Sequence, residues 1–93
     1  MEKLSDVLLK WDAWNISHIR ERHGIERHQV EEVFGNTPRA RETHKDRLLV
    51  VGPTSAGLML SVIIGPVPDE LGFYYSFSAR PASRQERRWY KQQ

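Results

Sequence analysis

Four basic side chains near the end of the chain have a spacing that lets them act together. Arg84, Arg87, Arg88 and Lys91 stand three or four residues apart, so on a helix they form one stripe about two turns long. Guanidinium groups bind phosphate through paired hydrogen bonds, and a phosphate chain would relieve the repulsion among these cations. The spacing therefore favours a site for a polyanion over the alternative, a helix face that is merely solvated.

The basic charge of the chain is concentrated at this end. Residues 80–93 hold five basic residues against one acidic residue, a balance of +4, so residues 1–79 carry −2 of the overall net charge of +2. A basic segment on a nearly neutral scaffold is typical of proteins that bind polyanions such as RNA. Trp89 and Tyr90 lie between these cations, where an aromatic ring either stacks on an unpaired base or attaches the helix to the core. Attachment is favoured for Trp89, and both roles stay open for Tyr90.

Side chains suited to proton transfer are few in this sequence. His44 lies in a polar segment before a predicted strand, and imidazole is the usual acid–base group at neutral pH; an ordinary exposed histidine is the alternative. His18 and His23 are five residues apart, which is not the spacing of four that puts two zinc ligands on one helix face. We interpret His23 as a capping or packing group at a helix end. Neither a metal nor a cofactor is expected.

Composition limits what kind of protein this is. Hydrophobic residues make up 39% and charged residues 28% of the 93 positions, which predicts one globular domain over residues 1–93. The chain has no cysteine, so thiolate chemistry and cysteine-ligated zinc are excluded. The longest apolar runs are strand-sized and no secretory signal is visible, so we expect a cytoplasmic protein without a membrane segment.

Two helices are predicted in the first third of the chain. Apolar residues recur at helical spacing over residues 13–23 and again over 25–34, as expected for helices that bury one side. Asp12 is placed to cap the first helix, and Gly24 is placed to end it in the left-handed conformation that glycine adopts without strain. A short β-rich run over residues 7–11 predicts a strand before them.

After Pro38 the apolar period changes from that of a helix to that of a strand. Candidate strands follow over residues 39–44, 47–52, 58–65 and 73–79. Short turns join them, which predicts an antiparallel meander. Ser83 and Glu86 have the spacing of a capping box, so a last short helix begins there and carries the basic stripe.

The order of these elements predicts the fold class. A strand, two helices, a meander of three or four strands and a final helix together indicate an α+β fold. We expect the first two helices to pack on one face of the sheet. An antiparallel sheet that is covered on one face leaves the other available to solvent or a ligand, so we expect the function to lie on that second face.

Three segments carry a resemblance to a known family. The opening segment includes Trp11-Asp12, His23-Gly24-Ile25 and Glu31-Glu32-Val33-Phe34. The central segment is Arg47-Leu48-Leu49-Val50-Val51-Gly52, and the closing segment includes Ala79-Arg80-Pro81-Ala82-Ser83 and Glu86-Arg87-Arg88. In this order, over about residues 7–91, they resemble the BrnT-like toxins, which are small RelE-fold ribonucleases of bacterial type II toxin–antitoxin pairs. The combination is specific, whereas each segment alone is weak.

The resemblance implies a RelE-like fold, metal-independent RNA cleavage that inhibits translation, and a cognate antitoxin protein as partner. Such cleavage uses the 2′-hydroxyl of the RNA as nucleophile, so it needs cations on the phosphate and groups that transfer protons. The catalytic residues expected on this basis are Arg80, Arg47, His44 and Tyr90. The RNA-binding residues expected are Arg84, Arg87, Arg88 and Lys91.

Two positions depart from the family pattern, which often has a basic residue where Pro53 and Leu58 stand here. The alternative function is therefore a catalytically weak or inactive BrnT-like domain that binds an antitoxin or nucleic acid without cleavage. A third hypothesis, from another class, is a structural partner domain whose basic helix binds an acidic protein.

Overall fold

The computed structural model describes residues 4–92, which form three α-helices and a five-stranded sheet. After a 3-10 turn at Leu4–Asp6, the elements are β1 (Leu8–Lys10), α1 (Ala13–His23), α2 (Arg27–Gly35), β2 (Arg39–Glu42), β3 (Leu48–Pro53), β4 (Met59–Pro66), β5 (Phe73–Pro81) and α3 (Arg84–Lys91). The strand order in the sheet is β1-β5-β4-β3-β2. The predicted α+β class and the predicted order of elements are confirmed.

The sheet is mixed rather than purely antiparallel. Strands β2 to β5 form the predicted meander, with each strand antiparallel to the next. Strand β1 joins the free edge of β5 in parallel, with Leu8 beside Phe73 and Lys10 beside Tyr75. The prediction of a wholly antiparallel sheet was therefore wrong at this edge, because α1 and α2 lead from β1 to β2 at the opposite edge and the meander then brings β5 back alongside β1.

Local sequence signals set both ends of α1. Asp12 accepts a hydrogen bond from the Asn15 amide at 2.9 Å, and the Asn15 side chain accepts one from the Asp12 amide at 2.8 Å. Asn15 Nδ2 also donates to the carbonyl oxygens of Lys10 and Ser76, so this buried side chain ties α1 to both β1 and β5. Gly24 ends the helix with φ of 68°, as its conformational freedom allows.

The second helix begins at Arg27, two residues later than predicted. Ile25 is buried in the core before the helix starts, and the Glu26 amide donates to the Gln29 side chain at 2.8 Å. The turn that places Ile25 inside the core therefore precedes the helix. None of the helices within residues 4–92 has the length and apolarity that crossing a bilayer would require.

One core fills the space between the sheet and the first two helices. Its buried side chains come from α1, the turn before α2, α2 itself and alternate positions of the central strands: Ile19, Ile25, Val30, Val33, Phe34, Val50, Leu60, Val62, Ile64 and Ala79. The predicted packing of two helices on one face is thereby confirmed.

The other face of the sheet is partly covered by α3. Leu49, Val51 and Ala82 are buried there, and Trp89 and Tyr90 of α3 pack against them. The prediction that this face is free was wrong where α3 lies, because α3 has an apolar side as well as its basic stripe. We call this face the α3 face.

Candidate nucleic-acid interface

Strands β2 and β5 place three arginines on the α3 face. Side chains alternate between the faces of a strand, and paired residues point the same way. Arg39 pairs with Val51 and Arg41 pairs with Leu49, and both partners belong to the core under α3. Arg80 lies on β5, three strands away from β2, where it pairs with Ser61 on β4.

Arg80 is bound by Glu86 of α3 through two hydrogen bonds. Arg80 Nη1 lies 2.7 Å from Glu86 Oε1, and Arg80 Nη2 lies 2.7 Å from Glu86 Oε2. The same carboxylate accepts from Ser61 Oγ at 2.8 Å and from the Ser83 amide at 2.8 Å. Four donors therefore satisfy a side chain that is only 11% exposed, as a buried carboxylate requires.

The charges of this pair are stabilised by their contact. The guanidinium of Arg80 lowers the pKa of Glu86 to about 2, although burial alone would raise it, and the Ser83 and Ser61 donors act in the same direction as Arg80. The hydrogen bonding of Arg80 to Glu86, in which the guanidinium donates, likewise raises the pKa of Arg80. The Arg80 side chain stays 42% exposed, so a fixed and fully charged guanidinium borders solvent.

Arg47 is held on the same face by an aromatic ring. Its guanidinium carbon lies 3.8 Å from the centroid of the Phe77 ring. Gly65 lies beneath both, since a Cβ there would stand 2.9 Å from Phe77 Cε2 and 3.3 Å from Arg47 Cγ. Within residues 4–92 no carboxylate pairs with Arg47, so its positive charge is not offset.

Arg47 and Arg80 lie at different ends of the sheet. Arg47 stands over Gly65, whereas Arg80 pairs with Ser61. Four residues along a strand span about 13 Å. The two predicted catalytic arginines therefore share a face without converging on one atom of a substrate.

Arg39 and Arg41 are basic groups that the sequence interpretation missed. Their guanidinium carbons lie 4.3 Å and 4.9 Å from the centroid of Trp89. Arg39 Nη1 also donates to the Trp89 carbonyl and, at 3.0 Å, to the Gln92 carbonyl. A cation there stabilises the negative end of the α3 dipole. The alternation Arg39-Ala40-Arg41 in an edge strand was the signal that could have revealed two cations on one face.

Tyr90 and His44, the predicted proton-transfer residues, lie apart from Arg80. Tyr90 Oη donates to the Thr37 carbonyl at 2.7 Å, and its ring packs against the core under α3. His44 is exposed in the turn before β3, where its carbonyl accepts from the Arg47 amide at 3.3 Å. Their roles in proton transfer stay predictions. Of the two predicted catalytic arginines, Arg47 is the one that His44 contacts.

The predicted basic stripe lies on the exposed side of α3. Arg84, Arg87, Arg88 and Lys91 are all exposed. Arg87 Nη1 donates to the Ala82 carbonyl at 2.7 Å, whereas in the described part of the chain the other three side chains have no hydrogen bond or ion pair. Their contact with RNA stays a prediction. No group of three or more histidine or carboxylate side chains in residues 4–92 is placed to hold a metal ion.

Comparison with protein-family models finds no match for this chain, and comparison with curated protein sequences finds none. Among solved structures, the crystal structure of the Brucella abortus ribonuclease toxin BrnT matches with a TM-score of 0.64 and 21% sequence identity. The match covers 84% of this chain and 96% of that one. The chain therefore has a BrnT-like fold, as the resemblance in its sequence implies.

Proposed function

We propose that this protein is a ribonuclease toxin of a type II toxin–antitoxin system, which inhibits translation by cutting RNA in the cytoplasm. The observation that carries the proposal is Arg80, a fixed and charged guanidinium held by Glu86 on a face with three more arginines. The likeness to a ribonuclease toxin supports it. A cognate antitoxin protein is the expected partner, because such a toxin must be restrained in its own cell.

The reaction we propose needs no metal ion. The 2′-hydroxyl of one nucleotide attacks the adjacent phosphorus; the P–O2′ bond forms and the P–O5′ bond breaks. The products are a 2′,3′-cyclic phosphate and a 5′-hydroxyl, with one proton removed from the attacking oxygen and one delivered to the leaving oxygen. Negative charge grows on the phosphate oxygens, and a guanidinium that is fixed beforehand stabilises it without reorganising.

The basic residues divide into two roles in this proposal. Arg80 stabilises charge in the transition state, because Glu86 fixes its position. Arg47, whose charge no carboxylate offsets within the described residues, binds a phosphate further along the RNA. The exposed stripe of α3 binds the flanking strand. His44 and Tyr90 are retained as candidate proton-transfer groups.

Two observations favour the alternative, a BrnT-like domain that binds RNA or an antitoxin without cutting. Glu86 offsets the charge of Arg80, while His44 Nδ1 lies 3.4 Å from Thr43 Oγ1 and Tyr90 Oη donates to the Thr37 carbonyl at 2.7 Å. A domain built in this way retains anion binding on Arg47 and the α3 stripe even if no group transfers a proton.

The test is an RNA-cleavage assay in the presence of EDTA, with Arg80→Ala and Arg80→Lys as variants. The parent should cut RNA and leave 2′,3′-cyclic phosphate ends. Arg80→Ala should lower kcat about 100-fold or more with a smaller change in Kd, as for a group that acts mainly in the transition state. Arg80→Lys should restore little, because an ammonium cannot form the paired bonds to Glu86.

Arg20→Ala is the matched control, since Arg20 is an exposed arginine of α1, and it should cut as the parent does. A parent protein that binds RNA but leaves it intact would establish the non-cleaving alternative.

A further inference from the structure

A cleft of about 220 Å³ opens between α1 and the edge of β5. Helix α1 contributes His18, Arg22 and His23 to its walls, and β5 contributes Ser78 and Arg80. No carboxylate is among its lining residues. Glu86 offsets the charge of Arg80 from outside the cleft, so the guanidinium of Arg22 supplies the charge that is not offset and that attracts anions.

The polar side chains that α1 contributes to this cleft, His18, Arg22 and His23, form no hydrogen bond or ion pair in the described part of the chain, whereas Arg80 from β5 is paired with Glu86. His23 is exposed and does not serve as the packing group that its sequence position suggests. The end of α1 is closed instead by the Gly24 amide, which donates to the Arg20 carbonyl at 2.7 Å.

A second feature of α1 extends the cleft. Trp14, His18 and Arg22 recur every four residues, so they form one stripe along the helix. The rings of Trp14 and His18 are stacked, with centroids 4.6 Å apart and planes 11° from parallel. Trp14 is nevertheless 59% exposed, so much of the indole is available to a ligand. A fixed, exposed indole beside cations is the arrangement on which single-stranded nucleic acids stack their bases.

We propose that the α1–β5 cleft is the nucleotide site of this protein, where one RNA phosphate binds between Arg22 and Arg80 and a neighbouring base stacks on Trp14. The inference rests on the proposed function, because it names the place where the RNA is held. Arg80 lines the cleft and also belongs to the α3 face. An RNA strand therefore crosses the edge of β5, with one part on α1 and the next on the α3 face.

The charge balance supports an anion in this cleft. The C-terminal end of α1 carries the negative pole of its dipole, roughly half an elementary charge, which disfavours a phosphate. Arg22, which has no ion pair in the described part of the chain, opposes this pole with an uncompensated charge, and Arg80 adds hydrogen-bond donors although Glu86 offsets its charge. A phosphate bound in the cleft also lies close to His18, which lines the same small volume. We assign His18 the proton that leaves the 2′-hydroxyl, because imidazole is the side chain most often used for such transfer.

Binding is tested with an RNA oligonucleotide that carries 2′-O-methyl groups and cannot be cut. Trp14→Ala should weaken its binding about 10-fold, in the range measured for loss of a base-stacking ring. Arg22→Ala should weaken it several-fold and reduce the salt dependence. Arg20→Ala removes the same charge from an exposed position of the same helix outside the cleft, and it should leave Kd within about 2-fold of the parent.

Cleavage of unmodified RNA gives the second readout. His18→Ala should lower kcat about 100-fold or more, with little change in Kd for the uncut oligonucleotide. His28→Ala, at an exposed position of α2, is the matched control and should cut as the parent does. The substituted side chains are not in the core, so each variant should fold. Thermal melting of each variant checks this.

The two proposals fail in different ways. If the parent binds the uncut oligonucleotide through Trp14 and Arg22 but cuts no RNA, the ribonuclease proposal and the role of His18 fail while the binding site stands. If the parent cuts RNA and Trp14→Ala and Arg22→Ala bind as well as Arg20→Ala, the cleft is not the nucleotide site and the ribonuclease proposal stands.

Discussion

Arg80 and Glu86 join the last strand to the last helix through two hydrogen bonds of 2.7 Å each. Glu86 is also the residue that completes the capping box of α3, because its carboxylate accepts from the Ser83 amide. One carboxylate therefore fixes where α3 begins and where the guanidinium of Arg80 lies. A change that disturbs the start of α3 will also disturb the proposed catalytic arginine.

The first prediction concerns acid stability and Glu86. Its pKa is about 2 in the fold against an ordinary value of 4.5. The ion pair of Glu86 with Arg80 therefore stabilises the folded protein in full at pH values above 4.5, the pKa of Glu86 in the unfolded chain. Stability is lost as the pH falls from 4.5 toward 2, because the unfolded chain takes up the proton first. We expect the parent to lose on the order of 2 kcal/mol through this group between pH 6 and pH 3. Urea denaturation at both pH values measures the loss.

Glu86→Gln provides the control for that measurement. Glutamine does not titrate, so the stability difference between parent and variant should shrink as the pH falls. Asp12, whose pKa is also lowered by the Asn15 amide, contributes equally to both proteins and cancels. An equal difference at pH 6 and pH 3 would contradict the assignment.

The second prediction concerns the cap of α3. Ser83 Oγ accepts a hydrogen bond from the Glu86 amide at 3.1 Å. Ser83→Ala removes this acceptor and should lower the free energy of unfolding by about 0.5 to 2 kcal/mol. Ser83→Thr keeps the hydroxyl and should lie much closer to the parent. Melting curves decide the point; an alanine variant as stable as the threonine variant would mean that the cap contributes nothing.

Features that depend on neighbouring residues could be predicted from the sequence. The capping box at Ser83 and Glu86, the cap at Asp12 and the stop at Gly24 each act within four residues. Their side-chain chemistry alone determines them. The meander was likewise predicted, because a period of two specifies which strand residues are buried.

Features that depend on long-range contacts could not be predicted in this way. Ser61 and Glu86 are 25 residues apart, and nothing in either segment specifies their hydrogen bond. The same holds for the parallel pairing of β1, a strand of three residues, too short to specify its partner. The cleft beside His18 exists only because α1 packs against the edge of β5. The candidate site thus arises largely from packing.

The third prediction concerns Gly65, over which Arg47 and Phe77 stack. A methyl group there would lie 2.9 Å from Phe77 Cε2, so the ring must move. Gly65→Ala should therefore lower the free energy of unfolding by about 1 to 3 kcal/mol. Gly35 in α2 has nothing within 4 Å of its Cβ position, so Gly35→Ala should be neutral or stabilising by up to about 1 kcal/mol. Chemical denaturation of the two variants makes the comparison. Equal stabilities would show that the Arg47–Phe77 stack can shift without lowering the free energy of unfolding.

The last prediction concerns the basic stripe of α3 and its response to salt. Arg84 and Arg88 are exposed and have no hydrogen bond or ion pair in the described part of the chain, so Arg84→Ala with Arg88→Ala removes two charges and little stability. Each phosphate contact with single-stranded RNA contributes about −0.7 to the slope of log K against log salt. If both arginines bind phosphate, the slope should become shallower by about 1.4. Arg20→Ala with Arg27→Ala removes two charges from α1 and α2 and should leave the slope as it is. A stripe variant that is folded and keeps the parent slope would show that this side of α3 is only solvated, and RNA would then be held by the arginines of the sheet.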